Sequence, residues 1–370
     1  MRLLHVLRKF RRRYDALVEV VVFRDWLFHN LESLRKIAGQ NRIAPVLKSN
    51  AYGHGLIEVA EILDNQGVPF FVVDSYHEAM VLRNAAIKTN ILVIGFTPFE
   101  NIKRNRDRTI AFTITDLEQL KYLEKKLKSP ETFHLKIDTG MHRQGILPAD
   151  LGAATTLIKA NQNIVFEGLC SHFADGEDDD YTKKQIEVWN PLVEKLTLEF
   201  PFKFIHLAAT TGLRHLSSIK SNTVRVGKGL FGLGNIVGTE PTLEMRARIT
   251  GVKKIKSGDS VGYGMTFKAE KDMRVGTLPL GYFEGVDRRL SNIGMVKYKD
   301  RFCRILGRVS MNITTIDLTE VPEAKAGDEV VVVSANAFDE NSVENLAKLC
   351  NTIALDIVVH IPQHLRRVVR

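Results

Sequence analysis

Eight short apolar runs separated by longer amphipathic stretches fill residues 43 to 227, and this alternation constrains the fold more than any other feature. The runs are IAPVLK (43–48), FFVVD (70–74), ILVIG (91–95), IAFTI (110–114), FHLKID (133–138), VFEGLC (165–170), FKFIHL (202–207) and NTVRVG (222–227). Between them, 55–67, 116–128 and 183–200 carry apolar residues at helical spacing. Parallel strands need such crossovers, and eight strand–helix units close into a (β/α)8 barrel. Ahead of the barrel, residues 16–39 read as a strand and a helix leading into it. Beyond about residue 245 the runs become short and Gly-punctuated, as in RVGTLPLGYF and GDEVVVVS, which predicts a mostly antiparallel β domain. The expected division is therefore a basic extension at 1–15, a barrel with its leading strand and helix at 16–245, and a β domain at 246–370.

At 44% hydrophobic and 26% charged, the composition is that of a globular chain able to bury a core. No apolar run has the length of a membrane span, and the basic start lacks the apolar stretch of a secretory signal. Three scattered cysteines, Cys170, Cys303 and Cys350, form neither a disulfide framework nor a metal motif and suit a reducing cytoplasm. The net charge of +9 lies at the ends: six basic side chains in 1–13 and three in 366–370, leaving 43 basic against 43 acidic residues between. Such ends can touch nucleic acid or anionic lipid, but solvated, partly disordered termini are the expectation, with no nucleic-acid or membrane partner.

A barrel displays its chemistry at the C-terminal ends of its strands. There the chain has Lys48 after the first strand, Lys136 near the end of the fifth and His172 after the sixth. His206 ends the seventh, with Thr210 just beyond, and Arg225 ends the eighth beside GKGLFG. A lysine at the tip of an apolar strand is costly unless something uses it.

These residues sit in strings that resemble the bacterial alanine racemase family: VLKSNAYGHG, KIDTGMHRQG, SHF, RVGKGLFG, SVGYGMTF, GYFEGVDRRLSN and GRVSMNITTIDLT, in that order over residues 17 to 369. The resemblance implies a pyridoxal 5'-phosphate enzyme, a head-to-tail homodimer with shared active sites, interconverting L- and D-alanine. Lys48 would hold the cofactor covalently and act as one base, with Tyr263 of the second copy as the other. An amine and a phenol are poor bases at neutral pH, so Lys48 must be desolvated or near positive charge and Tyr263 tuned by neighbours. The resemblance places His172 and His206 with Arg225, the unusual partner of the pyridine nitrogen. Always charged, Arg225 would leave that nitrogen unprotonated and disfavour transamination. Tyr52, Thr210, Gly227 and Lys228 would surround the phosphate. Arg143, Met311 and Tyr282 would meet the substrate, and Lys136 matches a lysine carbamylated in many relatives.

Several positions depart from the family pattern: Leu355 for a tyrosine, Asp356 for a glutamate, Ser310 for a cysteine, Asn312 for an aspartate and Ala209 for an asparagine. GYFEG also replaces Gly-Tyr-Ala-Asp-Gly. Losing the tyrosine hydroxyl removes about 0.5–1.5 kcal/mol of phosphate binding. The departures keep open racemisation of serine or a broader range of amino acids. A decarboxylase on the same scaffold is the other alternative, although its Gly-rich phosphate motif is not found.

Overall fold

The computed structural model describes residues 15–370, so most of the expected basic extension at 1–15 lies outside the described residues. By contact the chain separates into two compact units. One holds Leu31–Ser49 and Val59–Gly227; the other holds, among the described residues, 15–30, Asn50–Glu58 and Lys228–Arg370.

All eight expected barrel strands form: β2 (Arg42–Pro45), β3 (Phe71–Val73), β4 (Ile91–Val93), β5 (Ile110–Ile114), β6 (Glu131–Lys136), β7 (Ile164–Cys170), β8 (Phe204–His206) and β9 (Thr223–Val226). Strands β3 to β8 pair in parallel in sequence order, and β2 pairs in parallel with β9. Short backbone bonds close the ring. Leu47 N donates to Val72 O at 2.8 Å, Asn222 N to Ile205 O at 3.0 Å and Arg225 N to Ala208 O at 3.2 Å. Phe71, Phe112, Phe133 and Phe204 are fully buried in this unit. The crossover helices begin on side-chain caps: Ser75 accepts from Glu78 N, Asp116 from Gln119 N and Asp178 from Tyr181 N. Each such cap stabilises its helix by about 1 kcal/mol.

The second unit is built on a nine-stranded sheet. Its strands are β1 (Val18–Val22), β10 (Leu243–Arg248), β11 (Gly251–Ile255), β14 (Met273–Leu278), β15 (Met295–Tyr298), β16 (Arg301–Leu306), β17 (Thr314–Asp317), β18 (Glu329–Val333) and β19 (Arg366–Val369); the short β12 (Ser260–Val261) and β13 (Phe267–Lys268) pair apart. Every pairing is antiparallel except β1 with β19, so the expected antiparallel β domain is present.

Two expectations are corrected. The strand ahead of the barrel does not belong to it: β1 lies between β10 and β19, with Val20 opposite Met245 and Arg367. Its continuous valines satisfy two strand neighbours, which the sequence order could not name. The C-terminal basic run is ordered rather than a frayed end. Arg366 Nη1 lies 3.1 Å from Glu19 Oε1, and Arg367 donates to Gly53 O at 2.8 Å and Pro362 O at 2.6 Å. Among the described residues no helix is long and apolar enough to cross a membrane.

Candidate active site

Lys48 stands three residues past β2, where Val46 N and Leu47 N are still held by carbonyls at 2.8 Å. Its Nζ lies 3.7 Å from Asp74 Oδ1; Lys48 is half-buried and Asp74 exposed. The chain then does something the sequence does not announce. Ser49, Asn50, Ala51 and Tyr52 have φ of 56°, 56°, 49° and 53°, a turn of left-handed helix made without glycine. Each such residue costs roughly 1–2 kcal/mol, so neighbours must enforce it. Glu78 does so at the start: its carboxylate accepts from Ser49 N (2.7 Å), Asp74 N (2.8 Å) and Ser75 N (3.1 Å). At the far end Asn50 Oδ1 accepts from Leu56 N, and His54 Nδ1 meets Ala51 O and Tyr52 O, all at 3.0 Å. Gly53 closes the turn because a Cβ there would lie 2.0 Å from Val358 O. The Tyr52 ring packs 5.3 Å from that of Phe231, and burial pushes its phenol up to about 12.

Arg225, His206 and His172 are brought together, as expected. Arg225 is buried, and its guanidinium donates to His206 Nδ1, to His206 O (2.9 Å), to Ser171 O (2.7 Å), to Leu207 O (3.2 Å) and to His172 Nδ1 (3.0 Å). Among the described residues no carboxylate is bonded to it. A guanidinium can only donate, so both imidazoles present a bare Nδ1 to it and carry their proton on Nε2. Burial first, and then the charge of Arg225, hold both rings well below the usual histidine range and hence neutral. The arrangement is a buried cation solvated by dipoles. It can offer hydrogen bonds to a neighbouring acceptor but cannot readily give up a proton.

Lys136, at the end of β6, joins this group. Its Nζ bonds Gln144 Oε1 at 3.1 Å, and burial, helped by Arg225 and Arg143, lowers its pKa. Arg143 itself is exposed. Thr210 is buried and opens the 3₁₀ helix Thr210–Ser218, capped by Ala209 without a side-chain bond. Gly227 follows β9, and Lys228 opens a second 3₁₀ turn, Lys228–Phe231.

The remaining expected residues lie on the second unit. Tyr263 is 75% exposed on a 3₁₀ turn between Gly262 and Gly264, both at positive φ. Tyr282 and Met311 sit on loops stitched together by Tyr282 N to Ser310 O and Phe283 N to Met311 O, each 3.0 Å. Two of the departures from the family pattern prove to be partners: Asn312 Nδ2 donates to Glu284 Oε1 at 2.7 Å, and Glu284 Oε2 accepts from Gly281 N at 2.8 Å. Leu355 lies on the helix Ala354–Val359, where Asp356 accepts from Thr352 Oγ1 at 2.9 Å.

Sequence reasoning missed Glu78 and Asp74 beside Lys48, and His134, which bonds His206. The Ser75-x-x-Glu78 pattern of a capping box could have flagged Glu78. His134 had no signal beyond a polar residue inside an apolar strand.

A closed eight-stranded barrel with an amine, a buried guanidinium and imidazoles gathered at the C-terminal ends of its strands is the architecture of a barrel enzyme. The sequence matches the family models described as alanine racemase, N-terminal domain, over residues 23–235 and alanine racemase, C-terminal domain, over 242–369. Alanine racemase 1 of Caldanaerobacter subterraneus subsp. tengcongensis is 35% identical over 94% of both chains. Among solved structures, alanine racemase from the D-cycloserine producer Streptomyces lavendulae superposes with a TM-score of 0.87 at 27% identity, covering 97% of this chain and 98% of its own. The Bacillus anthracis alanine racemase with bound L-Ala-P gives 0.87 at 26% identity, covering 97% and 96%. This chain belongs to the alanine racemase family.

Proposed function

We propose that the chain interconverts L- and D-alanine on bound pyridoxal 5'-phosphate, as a cytoplasmic homodimer whose D-alanine serves peptidoglycan. The functional halves would be the expected barrel part, 16–245, less β1 and β10, and the β part, 246–370, together with those two strands. The observation that carries the reading is Arg225, a buried guanidinium held between two neutral imidazoles with, among the described residues, no carboxylate bonded to it.

The donor set fits the cofactor. Lys48 supplies an amine, Arg225 a donor for a pyridine nitrogen, and the buried Thr210 hydroxyl stands where a 3₁₀ helix begins, a setting suited to phosphate. Tyr52, Gly227 and Lys228 would complete the phosphate site and His172 and His206 the ring site. When bound, the cofactor draws electrons from the substrate's α-carbon and so makes its proton removable. Lys48 Nζ would take or return that proton on one face and Tyr263 Oη of the second copy on the other. Arg225 would hydrogen-bond the ring nitrogen without protonating it, and His172, its Nδ1 committed to Arg225, would have only Nε2–H to offer. Arg143, Tyr282 and Met311 would orient the substrate. The lowered pKa of Lys136 favours the neutral amine that carbamylation requires.

Sharing of the site between copies is supported by Tyr263, Met265, Tyr282, Phe283 and Met311, all exposed on the second unit. Large apolar side chains exposed in such numbers favour an interface.

The test is α-proton exchange in D2O followed by NMR, with added pyridoxal 5'-phosphate, across L-alanine, L-serine and L-lysine. Exchange on alanine with appearance of the D-enantiomer is expected. Cofactor retention without exchange on any substrate, or release of CO2, would send the reading to the decarboxylase alternative.

A further inference from the structure

The chain of rings does not stop at His206. Beyond it, deeper in the barrel unit, His134 Nδ1 lies 2.7 Å from His206 Nε2, and both rings are fully buried. His134 and Lys136 alternate along β6, whereas Gly168 of β7 stands directly opposite His134. A Cβ on Gly168 would sit 2.2 Å from His134 Nδ1, so the missing side chain makes the room for the ring. The pairing of β6 with β7 also shifts register between Phe133 and His134. Phe70 and Phe204 pack on the ring at 5.5 and 5.9 Å.

The proton positions follow from one fixed end. Arg225 must donate, so His206 Nδ1 accepts and its proton is on Nε2. Nε2–H then points at His134 Nδ1, which must be the acceptor. His134 in turn carries its proton on Nε2. That atom is buried without a hydrogen-bond partner among the described residues and lies 3.9 Å from Glu167 Oε1. His134 also lines a small cavity of about 30 Å³, with Asn90, Arg108, Thr109, Thr132 and Glu167, at the N-terminal ends of β4, β5 and β6. That is room for a water molecule.

We infer that His134 is a positioning residue for the site: it locks His206 in the Nε2–H tautomer, and so keeps Arg225 aimed as a donor at its other end. The Glu167 carboxylate, 3.9 Å from Nε2, lies near the outer end of the chain without bonding it. The consequence for cofactor chemistry rests on the proposed function, but the tautomer assignment does not.

The experiment is side-chain 15N–1H NMR of histidine-labelled, cofactor-loaded protein, with His134 and His206 assigned by single substitution. Both are expected as Nε2–H tautomers. His134→Leu keeps apolar bulk but removes the acceptor, and should lower kcat about tenfold with little change in KM, the size of one lost buried acceptor. His134→Gln returns an acceptor oxygen and should recover most of that loss. A wild-type His206 carrying its proton on Nδ1 would overturn the assignment, whatever the variants do. Equal losses in the Leu and Gln variants would overturn the positioning role and make His134 a space-filler. A wild type that binds no cofactor would instead defeat the proposed function, while its imidazole spectrum still decides the tautomer.

Discussion

The two units carry their expected site residues in opposite ways. In the barrel unit the groups are bonded to one another: Arg225 spans His206 and His172, His206 meets His134, and Lys136 meets Gln144. On the loops of the β unit, Tyr263, Tyr282 and Met311 instead expose their side chains. A group finished within its own chain can be preorganised on folding, whereas an exposed phenol acquires its surroundings only from another molecule. On the proposed function, the contrast is between a barrel unit that would prepare the cofactor site and a β unit that would prepare half of an interface.

The sharpest way to break this comparison is to disable each side separately. Lys48→Ala should abolish cofactor absorbance after dialysis and reduce racemisation by about 10⁴-fold, the upper range for a positioned acid–base group. Tyr263→Phe should retain the cofactor, lose L-to-D conversion by about 10²–10³-fold, and leave Tm unchanged, as an exposed position allows. Mixing the two inactive proteins should restore activity that neither shows alone, because one site in each mixed dimer is intact. If mixing restores nothing, the site is not shared.

The next test concerns His54 in the lysine motif. Burial lowers its pKa from 6.5 to about 4, so it stays neutral in the folded chain while the unfolded chain takes up a proton below 6.5. Stability should be complete above pH 6.5 and fall by about 3 kcal/mol as pH drops to 4. His172 and His206 shift in the same direction and add to the loss. Urea midpoints at pH 7.5, 6 and 5 would show it, and His54→Phe should flatten its share.

Smaller effects sharpen the picture of each unit. Glu78→Ala leaves the amides of Ser49, Asp74 and Ser75 without their shared acceptor and should cost about 2 kcal/mol, read as a lower denaturation midpoint together with weaker cofactor retention. Asn312→Asp sets a second carboxylate against Glu284 and should cost about 1 kcal/mol, seen as a small drop in Tm and a raised KM.

What was legible in the sequence follows the same division. The barrel strands announced themselves because both faces of a parallel sheet are covered and each reads as an apolar run. Lys48, His206 and Arg225 were legible because polar residues at strand ends break that pattern. The place of β1 was not, since its partners Met245 and Arg367 lie more than 200 residues away in the chain. Nor was the pairing of Asn312 with Glu284. Read singly, each looked like a lost family residue; together they exchange two carboxylates for a carboxylate and an amide. His134 looked like any polar residue inside a strand, because its meaning depends on a glycine in the next strand.

The left-handed turn after Lys48 has a mechanical consequence. The αL well is narrow for residues with a side chain, so Ser49–Tyr52 have little room to drift before they clash. A flexible tether would let the amine wander and be gathered again at each turnover. Four residues wedged into so small a basin behave instead like a short stiff spring at the base of Lys48.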